Sequence, residues 1–351
     1  MSFPLPADHA LDRYGRVLRR RVLVLAALTV AVFASFCFDL VVGPSDLGVV
    51  DVLAGLVRPE SLSRGASVIL WDVRLPYSLM ALIVGAALSL AGAEMQTILN
   101  NPLASPFTLG VSSAASFGAA LAIVVGVGIP GLPQSWIAPA NAFLFAFLSV
   151  LLLQALARLR GAGVETLVLF GIALAFAFNA LVALMQFLAS QEALQQLVFW
   201  SMGSLSRGTW ENLPVLAVIV ACTVPFSLNA SWKMTVLRFG EDRARSFGIN
   251  VPRLRFASLL RVSLLAATAV AFVGTIGFVG LVGPHITRLL LGEDHRFFLP
   301  GAMLTGALVM SLASIASRSL VPGVIVPVGI VTALVGVPFF LALILGRRER
   351  S

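Results

Sequence analysis

The stretch Gly274-Thr-Ile-Gly-Phe-Val-Gly-Leu-Val-Gly-Pro-His-Ile-Thr-Arg288 decides the fold class of this chain. It is apolar enough to lie in a lipid bilayer, yet it contains four glycines and Pro284, residues that weaken a helix. Interrupted helices are tolerated at membrane depth only where protein or a water-filled cavity surrounds them, and small residues let helices pack closely. The stretch therefore predicts a membrane protein whose interior has a function of its own, rather than a helix that only anchors the chain.

The composition supports a polytopic membrane protein. The chain has 351 residues, of which 59% are hydrophobic and 11% are charged. Soluble domains are about half apolar and about a quarter charged. The net charge of +8 does not indicate a nucleic-acid partner, because the basic residues lie between apolar segments and form no continuous face. Cys37 and Cys222 lie inside apolar segments, which favours small buried hydrophobic residues over a disulfide or a metal site.

Ten segments are apolar over about the length needed to cross a bilayer. They cover residues 22–42, 76–96, 107–127, 138–157, 166–189, 212–230, 257–275, 277–291, 298–317 and 327–345. The glycines near 274–277 separate the seventh segment from the eighth. We therefore predict an all-α protein with a single transmembrane domain over residues 22–345, a terminal segment at 1–21 and a tail at 346–351.

The basic residues predict the orientation. Lys and Arg favour the cytoplasmic side of a membrane. With the N-terminus inside and ten crossings, both termini are cytoplasmic. Only five of the 24 basic residues then lie outside, namely Arg58, Arg64, Arg74, Arg207 and Arg318.

The connection at residues 231–256 is predicted to lie inside and is longer than the topology requires. It contains the charged, helix-compatible segment Glu241-Asp-Arg-Ala-Arg245 and reaches Gly248, a residue that commonly ends a helix. A solvated linker is one interpretation, and we favour a structured docking element. Outside, residues 191–199 are predicted to form a short surface helix.

Two sets of motifs resemble one family. The first set comprises Val73-Arg-Leu-Pro76, Val84-Gly-Ala-Ala-Leu88 and Asn101-Pro-Leu-Ala-Ser-Pro106; the second comprises Gly277-Phe-Val-Gly-Leu281, Pro284-His285, Pro327-Val-Gly329 and Gly336-Val-Pro-Phe-Phe340. Over residues 70–345 the chain resembles the FecCD family of ABC-importer permeases, which are membrane subunits of importers for iron–siderophores, haem and cobalamin. The resemblance implies ten transmembrane helices, with helices 2–5 and 7–10 as inverted repeats. It also implies a homodimer with a pathway along its two-fold axis.

The resemblance implies that a separate ATPase powers transport. A phosphate-binding loop needs a Lys after a glycine-rich turn, and Lys233, the only lysine, has no such loop. The chain is thus predicted to be no enzyme and to bind no cofactor or metal, while two partner ATPase subunits hold ATP and Mg²⁺. The resemblance assigns coupling to the inside connection, where small residues would dock closely and charged residues would set the register. These residues are Glu241, Asp242, Arg243, Ala244, Arg245 and Gly248.

By the same resemblance, Arg74 and Arg318 are predicted to dock a periplasmic binding protein, because a guanidinium pairs well with carboxylates. The family pattern often reads Arg-Leu-Pro-Arg, whereas this chain has Tyr77 at the last position. The alternative is that these arginines reach the lipid headgroups.

Relatives place an inner gate after helix 2 and at the start of helix 5, which correspond here to Asn101, Leu103, Val164 and Glu165. Glu165 replaces the small hydroxyl residue common in the family. In a dimer its carboxylate would either face water or have a raised pKa, and the nearby Arg158 and Arg160 favour water.

Glu94 and Gln96 are polar residues in the second predicted span. An ionisable residue in a span is a functional candidate. For Glu94 three roles are open: its carboxylate lines the translocation path, reaches the membrane surface, or bonds to its own helix. His285 is interpreted as structural, and His295 as a helix-capping residue of an inside connection.

The resemblance therefore implies the permease of a ferric-siderophore importer in a bacterial inner membrane. Haem and cobalamin are the alternative cargoes. Such cargoes carry their metal already wrapped, so no ligand cluster is needed. An ion-coupled secondary transporter is the rival class, and it usually needs ionisable relays at mid-membrane.

Overall fold

A computed structural model describes residues 7–43, 47–159 and 164–346. The N-terminal six residues of the predicted segment 1–21 and residues 347–351 of the predicted tail lie outside the described residues, as does Arg160. The described residues form helices joined by turns, with one isolated antiparallel bridge between Val321 and Val324. The fold prediction of an all-α protein is confirmed.

The helices are numbered along the chain. Their bounds are α1 Ala7–Val41, α2 Val49–Val57, α3 Arg64–Val68, α4 Leu75–Ile98, α5 Val111–Ala120, α6 Gln134–Leu159, α7 Val164–Leu188, α8 Gln191–Ser201, α9 Leu213–Asn229, α10 Ser231–Leu237, α11 Glu241–Ser246, α12 Val251–Val273, α13 Val279–Leu291, α14 His295–Ser319 and α15 Val328–Gly346. The predicted surface helix at 191–199 is confirmed as α8. Residues 7–21, predicted as a separate segment, continue α1 without a break.

Six helices of the described residues are long and apolar enough to cross a membrane, and α9 with α10, bent by 54°, makes a seventh. They cover Asp12–Val41, Arg64–Ile98, Gln134–Leu156, Glu165–Leu188, Val251–Val273 and His295–Ser319. Three shorter apolar helices follow at Val111–Val125, Val279–Leu291 and Val328–Leu341. Each of the ten predicted segments overlaps one of these helices, and ten crossings remain a prediction.

The predicted break near 274–277 is confirmed, because α12 ends at Val273 and α13 begins at Val279. Gly274 has a φ of +78°, a conformation that only glycine adopts readily. A Cβ at Gly274 would overlap the carbonyl oxygen of Trp200. The break is therefore fixed both by backbone conformation and by the close approach of the C-terminal end of α8.

Helix α4 is the centre of the fold and is buried almost throughout. It packs against α12, α13 and α14. Two glycines explain the close approach, since a Cβ at Gly85 would overlap the backbone of Gly306 in α14 and one at Gly92 would overlap Gly280 in α13. Small residues at such crossings give membrane helices the van der Waals contact that holds them together.

The connections that the distribution of Lys and Arg assigns to the cytoplasmic side lie together at one end of the helix bundle. Arg21 of α1 pairs with Asp294 at 3.0 Å, and the Nε of Arg255 in α12 donates to the carbonyl of Ile98 at 3.1 Å. At the opposite end Trp210 donates to the carbonyl of Trp71 at 2.7 Å. The two ends are called the inner and outer ends below, after their predicted orientation.

The predicted burial of the two cysteines is wrong. Cys37 and Cys222 are exposed, not buried. The surface of a membrane protein that faces lipid is itself apolar, so an apolar segment does not indicate burial inside the protein.

Candidate functional site

The predicted coupling segment forms the short helix α11 at the inner end. Gly240 and Gly248, with φ of +110° and +75°, bracket it, and both conformations favour glycine. Its first turn carries Glu241 and Asp242, and its last turn carries basic residues. This order of charges matches the dipole of a helix. The sequence thus specifies α11 locally at both ends.

One face of α11 is fastened to its own chain. Glu241 forms an ion pair with Arg255 of α12, and within α11 it also accepts from Arg245 at 3.3 Å. Ala244 is completely buried in the hydrophobic core. The small side chain therefore faces the chain's own core and lets α11 approach it. The part of Ala244 in coupling to an ATPase stays a prediction.

The opposite face of α11 is exposed and carries aromatic residues at its edges. Phe239 and Phe247 are each 64% exposed, and Trp232 is 53% exposed. We call this face the α11 surface; it comprises Trp232, Phe239, Asp242, Arg243, Arg245, Phe247 and Gly248. Exposed aromatic residues among charged ones are typical of protein–protein interfaces.

A polar cluster connects this region to the core helices. Arg238, which follows α10, pairs with Glu293 and donates to the side chain of Asn100 at 2.9 Å. Arg288 of α13 lies 3.1 Å from the same Glu293 carboxylate. Glu293 therefore joins the segment before α11 to α13. The sequence analysis missed this residue, although it begins an acidic pair in the turn between two predicted spans.

The neighbouring residues hold the start of α14. Asp294 caps the helix by accepting from the backbone of Arg296. The hydrogen bond from the Arg296 side chain holds the pKa of Asp294 below its usual value. His295, predicted to cap a helix, is instead buried, with its ring nitrogens 2.7 Å from Thr97 and 3.2 Å from Thr235.

The predicted gate residues lie near the inner end. The side chain of Asn101 accepts from the backbone of Leu103 at 2.9 Å, and Leu103 is exposed. Glu165 is exposed in the first turn of α7, while the side chain of Val164 lies outside the described part of the chain. The turn Pro106–Leu109 packs on α7, so the two predicted gate segments are held in one region.

Glu94 is completely buried, and Arg261 of α12 binds its carboxylate from Nε at 3.1 Å and from Nη2 at 2.8 Å. Ser258 accepts from the same guanidinium at 2.8 Å. Gln96 donates to the carbonyl of Gly280 at 3.3 Å and accepts from Arg288 at 3.0 Å. The partners of Glu94 and Gln96 are thus on other helices, an arrangement that the sequence analysis did not anticipate.

Arg74 and Arg318, predicted to dock a binding protein, are only 3% and 8% exposed. Arg74 donates to the carbonyls of Leu40 and Val41 at 2.9 and 2.8 Å. Arg318 forms an ion pair with the buried Asp39. In this structure both guanidinium groups hold the C-terminal end of α1, where carbonyls lack helical partners.

Tyr77 occupies the position where the family pattern often has a second arginine. Its ring centroid lies 4.8 Å from the Arg318 guanidinium, and its hydroxyl is 3.4 Å from Ser317. A cation over an aromatic face is stabilised by the ring quadrupole. The departure from the family pattern therefore adds a contact that keeps Arg318 inside the protein.

Known proteins resemble the chain over nearly its whole length. The model of the FecCD transport family matches residues 28–346. A protein of Methanocaldococcus jannaschii named as an ABC transporter permease is 35% identical, over 97% of this chain and 99% of its own. The hemin transport system permease protein HmuU of Yersinia pestis is 33% identical, over 96% and 98%. The names of further relatives cite vitamin B12 import, molybdate import and iron chelatin transport.

A solved structure gives the same result. It is described as an inward-facing conformation of a metal-chelate type ABC transporter, and it matches with a TM-score of 0.80 and 33% identity, over 93% of this chain and 99% of that one. Family, relatives and structure agree. The chain therefore belongs to the FecCD transport family and is the permease subunit of an ABC importer, a membrane component whose ATPase and binding protein are separate partners.

Proposed function

We propose that two copies of this chain, with two ATPase subunits and a periplasmic binding protein, carry a ferric siderophore across a bacterial inner membrane. Haem and cobalamin are the alternative cargoes. In this assembly the ATPase subunits hold ATP and Mg²⁺. This chain contributes the translocation path and the surface on which the ATPase acts when it changes conformation.

The α11 surface is the observation that carries the proposal. Phe239, Phe247 and Trp232 remain exposed at the inner end, the end that the distribution of Lys and Arg assigns to the cytoplasm. Exposed aromatic residues are frequent hot spots of protein interfaces, where truncation costs about 2 kcal/mol or more. An ATPase with a matching cleft would bury them.

The ion pairs that attach α11 to the core helices would let it transmit movement from the ATPase to them. Glu241 ties α11 to Arg255 of α12, and Arg255 also donates to the end of α4. Arg238 and Glu293 tie the preceding segment to α13. A displacement of α11 would therefore act directly on the helices that pack in the core.

The cargo proposal is supported by chemistry and by the relatives. Among the described residues no group of three or more His, Cys, Asp and Glu could hold a metal ion. A cargo that brings its own chelator needs no such group in the permease. Iron chelates, hemin and vitamin B12, which occur in the names of relatives, all carry a metal in a surrounding ligand.

Purification of the assembly tests the composition. The chain is co-expressed with its ATPase, and the mass of the intact complex is measured in detergent. We expect two copies of each subunit. An active complex with a single copy of this chain and no second permease would overturn the proposal.

Transport into proteoliposomes tests the cargo. The complex and its binding protein are supplied in parallel with a ferric siderophore, haem, cobalamin and molybdate, and ATP-dependent accumulation is measured. We expect accumulation of the ferric siderophore alone. Uptake of a different cargo would replace the cargo proposal and leave the assembly proposal intact.

A further inference from the structure

A cavity of about 290 Å³ lies at the outer end between α6, α12 and the segment that joins α8 to α9. None of the coupling or gate residues line it. Its walls include three aromatic rings and two side chains of opposite charge, namely Trp136, Trp200, Phe272, Arg207 and Glu211. An apolar cavity with a few polar groups is the usual form of a small-molecule site.

Arg207 is held firmly at this cavity. It donates to the carbonyl of Phe199 at 2.7 Å and to that of Trp200 at 3.2 Å, and its guanidinium lies 5.8 Å from the Trp200 ring centroid. A Cβ at Gly274 would press on the same guanidinium. The backbone glycine that breaks α12 from α13 thus also makes room for this side chain.

Arg207 has no anionic partner within the described residues, since none of their ion pairs includes it. Burial lowers the pKa of Arg207 to about 10, so the group is still charged at neutral pH. Arg207 is half-buried, and its two carbonyl contacts leave its positive charge without an anionic counterpart in the described part of the chain. A bound anionic group would supply that counterpart.

Glu211 places a negative charge at the same cavity, four residues after Arg207 and next to Asn212, which donates to the carbonyl of Arg207 at 2.7 Å. A simple anion would meet both an attractive and a repulsive charge here. A ligand that joins a phosphate to an ammonium group is complementary to the pair.

The cavity lies at the level expected for lipid headgroups. Four of the five tryptophans of the chain, Trp71, Trp136, Trp200 and Trp210, are at the outer end. Tryptophan is enriched where a membrane protein crosses the interface between lipid and water. The headgroup of a lipid in the outer leaflet would therefore be near Arg207 and Glu211.

Apolar surface continues from the cavity along two helices. On α9 the exposed residues Val215 and Val218 follow Glu211 at helical spacing, and on α6 the exposed Leu144 lies about two turns beyond Trp136. Helix α12 packs against both α6 and α9. Lipid acyl chains would therefore find apolar walls below a polar headgroup site.

We propose that this cavity binds a zwitterionic phospholipid of the phosphatidylethanolamine class, with its phosphate at Arg207 and its ammonium group at Glu211. The acyl chains then lie along α6 and α9. The site is independent of the transported cargo, and it requires only that the chain lies in a membrane.

Native mass spectrometry of the purified chain in detergent tests the site. The chain is titrated separately with phosphatidylethanolamine, phosphatidylcholine and phosphatidylglycerol. We expect phosphatidylethanolamine to bind about tenfold more tightly than the other two, because only its headgroup offers both a phosphate and N–H donors. Equal retention of the three lipids would overturn the proposal.

Two variants separate the charges. Arg207→Gln is expected to weaken phosphatidylethanolamine binding about tenfold, and Glu211→Gln is expected to remove the preference over phosphatidylglycerol. Arg58→Gln and Glu60→Gln, which change exposed residues of the outer connection before α3, are matched controls. If Arg207→Gln does not fold, Arg207→Lys and the exposed Glu211 still test the site. Unchanged lipid binding in folded Arg207→Gln and Glu211→Gln variants would refute it.

A competition experiment distinguishes a lipid site from an anion site. Inorganic phosphate in large excess is expected to leave phosphatidylethanolamine bound, since phosphate has no acyl chains to contact α6 and α9. Displacement of the lipid by phosphate would overturn the proposal in favour of a site for free anions.

Discussion

The Glu94 carboxylate of α4 is held by Arg261 of α12, with Nε 3.1 Å from both carboxylate oxygens and Nη2 2.8 Å from one of them. Both side chains are buried, at 0% and 10% exposure. The two residues come from the first and second halves of the chain. The pair therefore joins the halves at the centre of the helix packing, close to the inner end.

Breaking this pair is expected to destabilise the protein. Glu94→Gln or Arg261→Gln leaves one buried charge without compensation, which costs about 3–5 kcal/mol of unfolding free energy. The double variant Glu94→Gln/Arg261→Gln is expected to recover part of the loss, because neither charge remains. Thermal unfolding in detergent measures the series, and single variants as stable as wild type would show that the pair contributes nothing.

The ion pair between Arg318 and Asp39 gives a second prediction. Arg318→Glu sets a second carboxylate beside a buried one, and is expected to lower the unfolding free energy by about 3 kcal/mol or more. Arg58→Glu, on an exposed outer residue, is the control and is expected to change stability by about 0.5 kcal/mol or less.

The same variant distinguishes the structural role of Arg318 from the docking role predicted by resemblance. Binding-protein affinity and unfolding are measured on one preparation. Loss of affinity with unchanged stability would support docking and contradict the structural role, whereas loss of stability is the result that the buried pair predicts.

The α11 surface gives the third prediction. Phe247→Ser removes an exposed aromatic ring without touching the core, so the chain should fold while its affinity for the ATPase falls by about tenfold or more. Tyr14→Ser, which removes an exposed aromatic from α1, is the control. Binding of the purified ATPase in detergent measures the effect, and equal affinity of both variants would remove the docking role of Phe247.

Ala244 behaves differently from the exposed residues of α11. Because its side chain is buried in the core, Ala244→Trp is expected to overpack the chain itself and to cost about 1–3 kcal/mol of unfolding free energy. A fully stable Ala244→Trp variant would contradict the position of α11. Loss of transport in this variant alone would not identify an ATPase contact.

The fifth prediction concerns Glu293, which joins Arg238 to Arg288. Its side chain is 42% exposed, so Glu293→Gln is expected to cost about 1 kcal/mol or less. The connection between the α11 region and α13 is nevertheless weakened. We expect fewer cargo molecules transported per ATP hydrolysed, measured in proteoliposomes. Glu192→Gln in α8 is the control, and an unchanged ratio in Glu293→Gln would show that Glu293 transmits no movement.

The sequence alone determined the features that depend on neighbouring residues. Apolar length and the distribution of Lys and Arg indicated the spans and the grouping of the connections at two ends. The glycines near 274–277 indicated the break between α12 and α13, and the charged, helix-compatible segment that ends at Gly248 indicated α11. These signals are local because helix formation, capping and membrane insertion respond to composition over a few turns.

Only the tertiary structure decided which side chains meet. Glu94 and Arg261 are 167 positions apart, and no periodicity relates them. Arg318 and Asp39 are likewise far apart in the sequence. Arg318 alone suggested an outer surface, because an arginine at a helix end can face solvent, lipid or protein. Ala244 looked suited to docking since it is small, but small residues fit equally well against the chain's own core. Helix packing chooses among these environments, and the energy of a buried charge depends on the partner that packing supplies.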